Sequence, residues 1–255
     1  MTTDRGAQRT VVVHADAPTL ARATAARLLL TLLDAQSTHR PVHVVLTGGT
    51  VGIATLAEVR DSTLRDAVDW TGVHLWWGDE RFLPDGDPDR NETQARDALL
   101  AYLDLPTHHV HAMPPSDAPG ISSPEDSAAA YAGSLAAFAP PGATGASAVP
   151  EFDVVLLGAG PDGHLASLFP EHPALDVIDR TVVGVHGSPK PPAERVSLTY
   201  PALDAATEVW FVVAGADKAA AVQRALAGDD RHRTPAAAAA GRRRTLWLLD
   251  TAAAG

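Results

Sequence analysis

The residues best suited to catalysis lie in the stretch LLGAGPDGHLASLFP, residues 156–170. An apolar run typical of a strand comes first, and a glycine-rich turn then delivers Asp162 and His164. Histidine is the side chain whose intrinsic pKa best suits it to take a proton from water near neutral pH. The stretch by itself fits equally well a histidine that only caps the short helix after it. Both interpretations stay open at this point.

The same stretch has the spacing G-x-G-x-x-G of a dinucleotide-binding turn, at Gly158, Gly160 and Gly163. In that motif the third glycine opens a long helix, whose N-terminus holds a pyrophosphate. Here Pro170 and Pro173 follow Gly163 too soon to leave room for such a helix. The pattern therefore argues against a dinucleotide and favours catalysis by the side chains of the turn.

A second glycine turn, LTGGT, joins an apolar strand pattern to a helical one. The backbone N–H groups of Gly48, Gly49 and Thr50, at the N-terminus of that helix, would suit a phosphate. The turn is not a Walker motif, since no G-K-[ST] follows it. Lys218 and Arg195 could each add a positive charge to the same phosphate, although either residue seen alone is more often on the surface.

A third polar cluster follows the strand pattern at 73–77. Asp79, Glu80 and Arg81 stand together there, and a long polar loop then leads to Asn91 at a predicted helix N-cap. Charges at the end of a strand often serve only solubility. The long loop after them favours the wall of a cleft.

Apolar, β-branched runs alternate with helical patterns along the chain. The strand-like runs are 10–14, 42–49, 73–80, 109–113, 152–160, 181–185, 195–199, 208–215 and 245–250, and polar turns follow the strands at 42–46, 73–77, 152–157 and 208–213. The predicted helices include 18–36, 91–103, 124–138 and 217–228. This alternation predicts an α/β fold with a mostly parallel sheet and helices on both faces. Ligands of such sheets bind beyond the carboxyl ends of the strands, which is where the polar turns fall.

Composition limits the class of partner. The chain of 255 residues has a formal charge of −11, which argues against nucleic acid and anionic membranes. It has no cysteine, which excludes disulfides and thiolate chemistry and fits a reducing compartment. Its N-terminus does not resemble a secretory signal, and no apolar stretch approaches the roughly 18 residues that cross a bilayer. We expect a cytoplasmic protein.

The stretch APPGATGASAVP, residues 139–150, has the composition of a flexible connection. The strand pattern continues in the same style on both sides of it. We therefore interpret it as an internal loop and predict a single α/β domain over residues 1–255.

Taken together, these segments resemble the 6-phosphogluconolactonase family. The matching segments are LTGGT, WWGDERFLP with DRN, FDVVLLGAGPDGHLASLFP, RVSLTYPAL, VWFVVAGADKA and TLWLLDTAA, in the family's order over about residues 10–252. The resemblance implies a modified Rossmann-like fold, shared with glucosamine-6-phosphate deaminases and ribose-5-phosphate isomerases. It also implies hydrolysis of 6-phospho-D-glucono-1,5-lactone to 6-phosphogluconate, with no metal and no cofactor.

The resemblance places the family's catalytic histidine on His164 and its neighbouring aspartate on Asp162. It places substrate and phosphate contacts on the G-G-T turn, on the arginine of D-E-R and on the lysine of A-D-K. With the polar residues found above, the predicted contact set is Gly48, Gly49, Thr50, Asp79, Arg81, Asn91, Arg195 and Lys218. One departure is Arg90, because many relatives carry serine before the asparagine. The polar contact expected of that serine has no counterpart here.

The implied mechanism needs no covalent nucleophile, because a cyclic ester is already activated and the chain has no G-x-S-x-G elbow. His164 would deprotonate a water that attacks the lactone carbonyl and would then return the proton to the ring oxygen. The oxyanion would need N–H or cationic donors, for which the backbone of the glycine turn is the candidate. The expected partner is a small sugar-phosphate lactone, and the expected assembly is a monomer or a weak homodimer.

Three other functions each fit part of the sequence. An amino-sugar-phosphate isomerase or deaminase would use the same phosphate turn, with an acid such as Asp79 as the base. A sugar-phosphate sensor without turnover would need a basic DNA-binding appendage, which the chain lacks. A metal hydrolase would need His108, His109 and His111 to converge, but neighbouring residues of a strand face opposite sides. We expect that segment to be an exposed strand edge.

Overall fold

A computed structural model describes residues 8–255. Residues 1–7, which carry part of the prediction about targeting, lie outside the described residues. The strands are β1 (Gln8–His14), β2 (Val42–Leu46), β3 (Val73–Trp77), β4 (Asp79–Arg81), β5 (Val110–His111), β6 (Val154–Leu157), β7 (Val182–Val185), β8 (Arg195–Leu198), β9 (Glu208–Val213) and β10 (Arg244–Asp250). The α-helices are α1 (Ala17–Gln36), α2 (Thr50–Asp61), α3 (Asn91–Ala98), α4 (Pro124–Ala136), α5 (Tyr200–Leu203), α6 (Ala219–Leu226) and α7 (Thr251–Ala254).

Within residues 8–255, seven strands form a parallel sheet in the order β1-β10-β9-β6-β2-β3-β5. The strands β4, β8 and β7 form a separate antiparallel sheet. The predicted α/β fold with a mostly parallel sheet is confirmed.

The large sheet is covered on both faces, which explains why its inner strands are apolar throughout. In β6, Val154 and Leu156 pack into one core, with residues of α1, α2 and α3. Val155 and Leu157 point the other way, into a second core with residues of α4, α6 and α7. Each inner strand therefore joins two cores, because successive side chains of a strand face opposite sides.

The order in which strands are added to the sheet reverses between the neighbouring strands β2 and β6. From β2 the sheet grows through β3 and β5, whereas from β6 it grows the other way through β9 and β10. A crevice forms beyond the carboxyl ends of two strands where the order reverses in this way. The turns LTGGT and GAGPDGH follow these two strands, so the fold brings them side by side.

The small sheet was not foreseen. The segments 181–185 and 195–199 were predicted as strands in the same series as the others, but β7 and β8 pair antiparallel. Only a short loop joins them, and a parallel pair would need a longer crossover. Asp79–Arg81, interpreted as the start of a loop, pairs with β8 as the short strand β4.

Several predicted elements are shorter than expected, and two of them lose a large part of their length. The strand expected at 109–113 is reduced to Val110–His111, and the helix expected at 91–103 ends as an α-helix at Ala98. Its last part continues as a 3₁₀ turn from Leu100 to Tyr102. Among residues 8–255, no helix is both long and apolar enough to cross a membrane.

Candidate active site

A cavity of about 330 Å³ opens at the carboxyl ends of β2, β3 and β6. The predicted site residues that line it are Gly48, Gly49, Thr50, Asp79, Arg81, Asn91, His164, Arg195 and Lys218. Asp162 does not line the cavity but hydrogen-bonds the ring of His164. The fold thus brings together residues from segments that are up to 170 positions apart in the sequence.

Asp162 holds the imidazole of His164 through a hydrogen bond at Nδ1. Its Nδ1 lies 2.6 Å from Oδ1 of Asp162, and the same oxygen accepts the backbone N–H of His164 at 3.3 Å. The ring packs against Phe169 with 4.7 Å between centroids. Among residues 8–255, no protein group forms a hydrogen bond with Nε2 of His164. The contact with Asp162 therefore leaves Nε2 as the nitrogen available to a molecule in the cavity.

The carboxyl of Asp162 is ionised at neutral pH. Burial alone would raise its pKa, but the hydrogen bond and charge of His164, with the charge of Lys190, lower the pKa to about 2. A carboxylate can only accept a hydrogen bond, so Nδ1 of His164 carries the proton of the neutral ring. Nε2 then presents its lone pair, as a general base requires.

The glycine turn has the shape that this pairing needs. Gly163 has a φ of +94°, which favours glycine. A β-carbon at Gly160 would overlap the ring of His164 and the carboxylate of Asp162, so only glycine lets the backbone pass this close.

The glycine turn offers fewer free backbone N–H groups to an oxyanion than the sequence led us to expect. The N–H of Gly160 donates to the carbonyl of His164, and the N–H of Gly163 donates to the carbonyl of Gly160, both at 2.9 Å. These two N–H groups are therefore occupied within the turn. Gly158 and Ala159, which line the cavity, are the remaining candidates in this segment.

The G-G-T turn opens α2 without a side-chain cap. Gly49 stands at the N-cap with a φ of 80°, and Thr50 is the first residue of the helix. An uncapped N-terminus leaves backbone N–H groups unpaired and carries the positive end of the helix dipole. This end of the cavity therefore suits an anion.

The opposite wall is a network around Asn91. Its side-chain oxygen accepts from Nη1 of Arg81 at 2.7 Å, and its Nδ2 donates to the carbonyl of Asp79 at 2.9 Å. The carboxylate of Asp79 in turn accepts from Oγ of Ser167 at 2.6 Å. Asn91 is the first residue of α3 and not its N-cap, which is Arg90, so the prediction was wrong by one residue.

Glu80 takes the capping role that was expected of Asn91. Its buried carboxylate accepts the backbone N–H groups of Arg81, Asn91 and Glu92 at 2.7–2.9 Å. Burial raises its pKa, while the charge of Arg90 and these hydrogen bonds oppose the change. Glu80 therefore fixes the N-terminus of α3 against β4.

Arg90 does not line the cavity and is 1% exposed. Its Nη2 donates to the carbonyl of Met113 at 2.7 Å and lies 3.8 Å from Glu80, and its Nη1 donates to the carbonyl of Leu83 at 3.2 Å. The residue that departs from the family pattern thus holds the loop before α3.

The cations divide into two kinds. Lys218 lines the cavity, with its ammonium 2.6 Å from the carboxylate of the more exposed Asp217. Arg195 also lines the cavity, but its Nε and Nη2 donate to backbone carbonyls of residues 190–192.

Lys190 also lines the cavity, and the sequence analysis missed it because the segment SPKPP fits no helix or strand pattern. One sequence signal could have found it, since Lys190 and Lys218 are the two lysines of the chain.

The histidines at 108–111 lie away from this cavity. His108 is exposed, whereas His109 and His111 are half-buried and stack on His74 with centroids 3.9 and 5.1 Å away. The expected strand edge is confirmed, since β5 is the last strand of the large sheet, but His109 and His111 are half-buried and not exposed. Within residues 8–255, no group of three or more histidine, aspartate or glutamate side chains has a geometry that could hold a metal ion.

A parallel α/β sheet, with a histidine–aspartate pair and an uncapped glycine turn at the point where its strand order reverses, places this chain among the α/β proteins that have a site at the carboxyl ends of their strands. The chain belongs to the family of glucosamine-6-phosphate isomerases and 6-phosphogluconolactonases, whose model matches residues 15–247. This match confirms the family resemblance inferred from the motifs.

The curated relatives include a 6-phosphogluconolactonase of Streptomyces coelicolor, 56% identical over 96% of this chain and 93% of its own. Another, from Mycobacterium tuberculosis, is 44% identical over 96% of each chain. Among solved structures, the 6-phosphogluconolactonase of Trypanosoma brucei matches with a TM-score of 0.84 and 29% identity over 98% of each chain. A monomeric glucosamine-6-phosphate deaminase, 17% identical over 97% of this chain and 98% of its own, has a TM-score of 0.76 and so shares the fold.

Proposed function

We propose that this chain hydrolyses 6-phospho-D-glucono-1,5-lactone to 6-phosphogluconate. The observation that carries the proposal is the pairing of His164 with ionised Asp162, which leaves Nε2 available in a cavity whose other end suits a phosphate. The names of the relatives support the same substrate.

In the proposed reaction His164 acts as a general base. Its Nε2 takes a proton from a water molecule as the water attacks the lactone carbonyl carbon. Asp162 keeps the ring in the required tautomer and stabilises the imidazolium that forms. The imidazolium then gives the proton to the ring oxygen as the C–O bond breaks, so the histidine returns to its neutral form.

The negative charge on the carbonyl oxygen requires donors in the intermediate. Within the glycine turn, Gly158 and Ala159 are the candidates to stabilise the oxyanion, because the N–H groups of Gly160 and Gly163 are occupied. Arg81, held by Asn91, and Asp79 contact the sugar from the opposite wall in this proposal. Substrate binding in one orientation is what such a wall contributes.

The phosphate of the substrate would bind at the N-terminus of α2. Gly48, Gly49 and Thr50 supply backbone N–H groups there, and Lys218 supplies a positive charge. The remote phosphate would then hold the lactone in register with His164, so its binding energy assists the reaction at the other end of the substrate.

The test is a stopped assay of acid release from the lactone with His164→Gln and with the wild type. Loss of one general base typically lowers the rate by about 10²–10⁴-fold, and we expect this in kcat with little change in KM. Phe169, which packs on the ring, offers a control: Phe169→Leu should retain most of kcat. Wild-type turnover by His164→Gln would remove this residue from the mechanism.

The alternative is an amino-sugar-phosphate isomerase or deaminase. The observation that favours it is Asp79, a buried carboxylate that lines the same cavity and could abstract a proton from a sugar. Its discriminating measurement is ammonia release from glucosamine 6-phosphate. Release at a rate comparable with lactone hydrolysis would favour this alternative, in which Asp79→Asn abolishes turnover.

The proposed partner is therefore a small sugar phosphate. A monomeric or weakly dimeric state, a single domain and a cytoplasmic location stay predictions from the sequence. Sedimentation of the purified protein over a range of concentrations tests the first of these.

A further inference from the structure

The two lysines of the chain, Lys190 and Lys218, both line the candidate active site. The chain has 20 Lys and Arg residues, and the other 18 are arginines. Lys218 follows β9, whereas Lys190 comes from the loop between β7 and β8. Two ammonium groups from unrelated segments thus meet in one cavity.

Four charged side chains, Asp162, Arg195, Asp217 and Lys218, influence the pKa of Lys190. Burial lowers its pKa, the charge of Asp162 opposes this, and the charges of Lys218 and Arg195 lower the pKa further. Four cations line the cavity, Arg81, Lys190, Arg195 and Lys218, and with His164 neutral they face three carboxylates, Asp79, Asp162 and Asp217. The cavity therefore holds more positive charge than its own carboxylates neutralise.

The loop that carries Lys190 is fastened by Arg195. Nε of this buried arginine donates to the carbonyl of Pro192 at 3.0 Å, and Nη2 donates to the carbonyls of Lys190 and Pro191 at 3.1 and 3.0 Å. Ser188 closes the loop from the other side, because its Oγ donates to the carbonyl of Lys190 at 2.8 Å. Three consecutive carbonyls are thus bound to one rigid guanidinium group.

We infer that Lys190 joins Lys218 in binding the phosphate of the substrate, and that Arg195 is a positioning residue that holds the Lys190 loop in place. The inference rests on the proposed function for the identity of the substrate. A phosphate dianion between the two ammonium groups balances the excess positive charge and removes their mutual repulsion. Because Nε and Nη2 of Arg195 are occupied by carbonyls, its main contribution to the phosphate passes through Lys190.

The scarcity of lysine permits a direct test. Reductive methylation with ¹³C-formaldehyde labels Lys190, Lys218 and the N-terminal amine and leaves their positive charge in place. The variants Lys190→Arg and Lys218→Arg assign the signals. Titration with inorganic phosphate, at constant ionic strength set with chloride, should shift both lysine signals along one binding curve. A shift of the Lys218 signal alone would overturn the role of Lys190.

A double-mutant cycle tests the positioning role of Arg195. Lys190→Met should weaken phosphate binding about tenfold, since a hydrogen bond to a charged group is lost. Arg195→Met should weaken it by a similar factor, and the double variant should bind no more weakly than Lys190→Met. Multiplicative losses would mean that Arg195 binds phosphate itself, which contradicts the inference.

Two further variants keep this test decisive. Lys190→Arg retains the charge and should bind phosphate within a few-fold of the wild type. If Arg195→Met does not fold, Ser188→Ala loosens the same loop, and its effect should also vanish in the Lys190→Met background. An effect of Ser188→Ala that persists in that background would overturn the inference.

Failure of this inference is distinguishable from failure of the proposed function. Phosphate binding is measured without turnover, so it can be positive even if the lactone is not hydrolysed. In that case the proposed function fails and the two-lysine site stands. If the lactone is hydrolysed but only one lysine signal responds to phosphate, the proposed function stands and the two-lysine site fails.

Discussion

The backbone of Gly48 lies against the side-chain amide of Asn91 so closely that a β-carbon at position 48 would overlap that amide. The amide oxygen accepts a hydrogen bond from Arg81 at 2.7 Å. The G-G-T turn and the opposite wall of the cavity therefore meet at this contact. A glycine at position 48 is required for the close approach and not for an unusual φ.

Gly48→Ala should displace Asn91 and break its contact with Arg81. Overpacking of this kind costs about 1–3 kcal/mol of unfolding free energy. Misplacement of a substrate-positioning group can cost about 10²-fold, and we expect a loss of that order in kcat/KM. Urea unfolding and steady-state kinetics of the lactone measure the two effects.

The matched control is Gly133→Ala, on an exposed turn of α4 with nothing within 4 Å of the added carbon. Alanine should stabilise that helix by about 0.5–1 kcal/mol and leave kcat/KM unchanged. A Gly48→Ala enzyme with wild-type kinetics would show that Asn91 can move without consequence.

Asp162→Asn should lower kcat through the tautomer of His164. An asparagine amide can accept from Nδ1 or donate to it, and it cannot stabilise the imidazolium by charge. We expect a fall in kcat of about 10²–10⁴-fold with little change in KM, as for loss of the base itself. The native pKa of Asp162 is about 2, so the carboxylate is ionised over the whole working range and the loss should persist at neutral and alkaline pH.

The control for this variant is Asp176→Asn. Asp176 is 60% exposed and pairs with Arg231 on the surface, away from His164. Its replacement should leave kcat unchanged. Comparable losses in both variants would indicate a general effect of charge and contradict a specific pairing of Asp162 with His164.

Sequence reasoning foresaw those parts of the fold that depend on local patterns. The strands at 42–46, 73–77 and 208–213 were placed at their observed bounds, because buried parallel strands are apolar throughout. The small sheet was missed because β4 has the sequence D-E-R, which carries no apolar pattern. Its pairing with β8 depends on a contact over more than 110 positions, and no local signal reports such a contact.

The candidate site divides in the same way. His164 and Lys218 stand at the ends of recognisable strands, so the fold rule for carboxyl ends places them. Lys190 stands in an irregular loop and enters the cavity because Arg195 holds that loop. Arg195 was expected at the phosphate from its charge alone. Which atoms of its guanidinium are occupied by backbone carbonyls could only be read from the folded chain.

Arg90→Ser, which restores the family's residue, should destabilise this protein. Glu80 would lose the charge 3.8 Å away while its carboxylate stays buried. Breaking a buried ion pair by removing one partner costs about 3–5 kcal/mol. Urea unfolding at neutral pH measures the loss.

Arg96→Ser serves as the control on the same helix. Arg96 pairs with Glu92 four residues earlier, but its side chain is 54% exposed. Exposed pairs contribute about 0.2–1 kcal/mol, so this variant should change the unfolding free energy by less than Arg90→Ser does. Equal losses would mean that burial of the Arg90–Glu80 pair has no energetic consequence.

A stack of histidines at the edge of the large sheet should make the stability depend on pH. Trp76 donates to Nδ1 of His43 at 3.1 Å, and Nδ1 of His74 lies 2.9 Å from Nε2 of His111. Burial, with the charges of neighbouring histidines, lowers the pKa of His43 to about 3 and those of His74 and His111 to about 4. The folded state therefore keeps these rings neutral.

The sign follows from the order in which the two states take up protons. As the pH falls below 6.5, the ordinary pKa of histidine, these histidines bind protons in the unfolded chain but stay neutral in the folded chain. The stabilisation is complete above that pH and is lost as the pH falls towards 4. Each such proton contributes a slope of about 1.4 kcal/mol per pH unit.

His111→Phe should reduce this slope. Phenylalanine can keep the ring that stacks on Trp76 at 3.8 Å, and it does not titrate. Unfolding free energies from urea titrations between neutral pH and about pH 4.5 should therefore fall less steeply than in the wild type, by up to one proton. His108→Gln is the control, because His108 is exposed beside the stack and its loss should leave most of the slope. An unchanged slope in His111→Phe would place the acid sensitivity elsewhere in the chain.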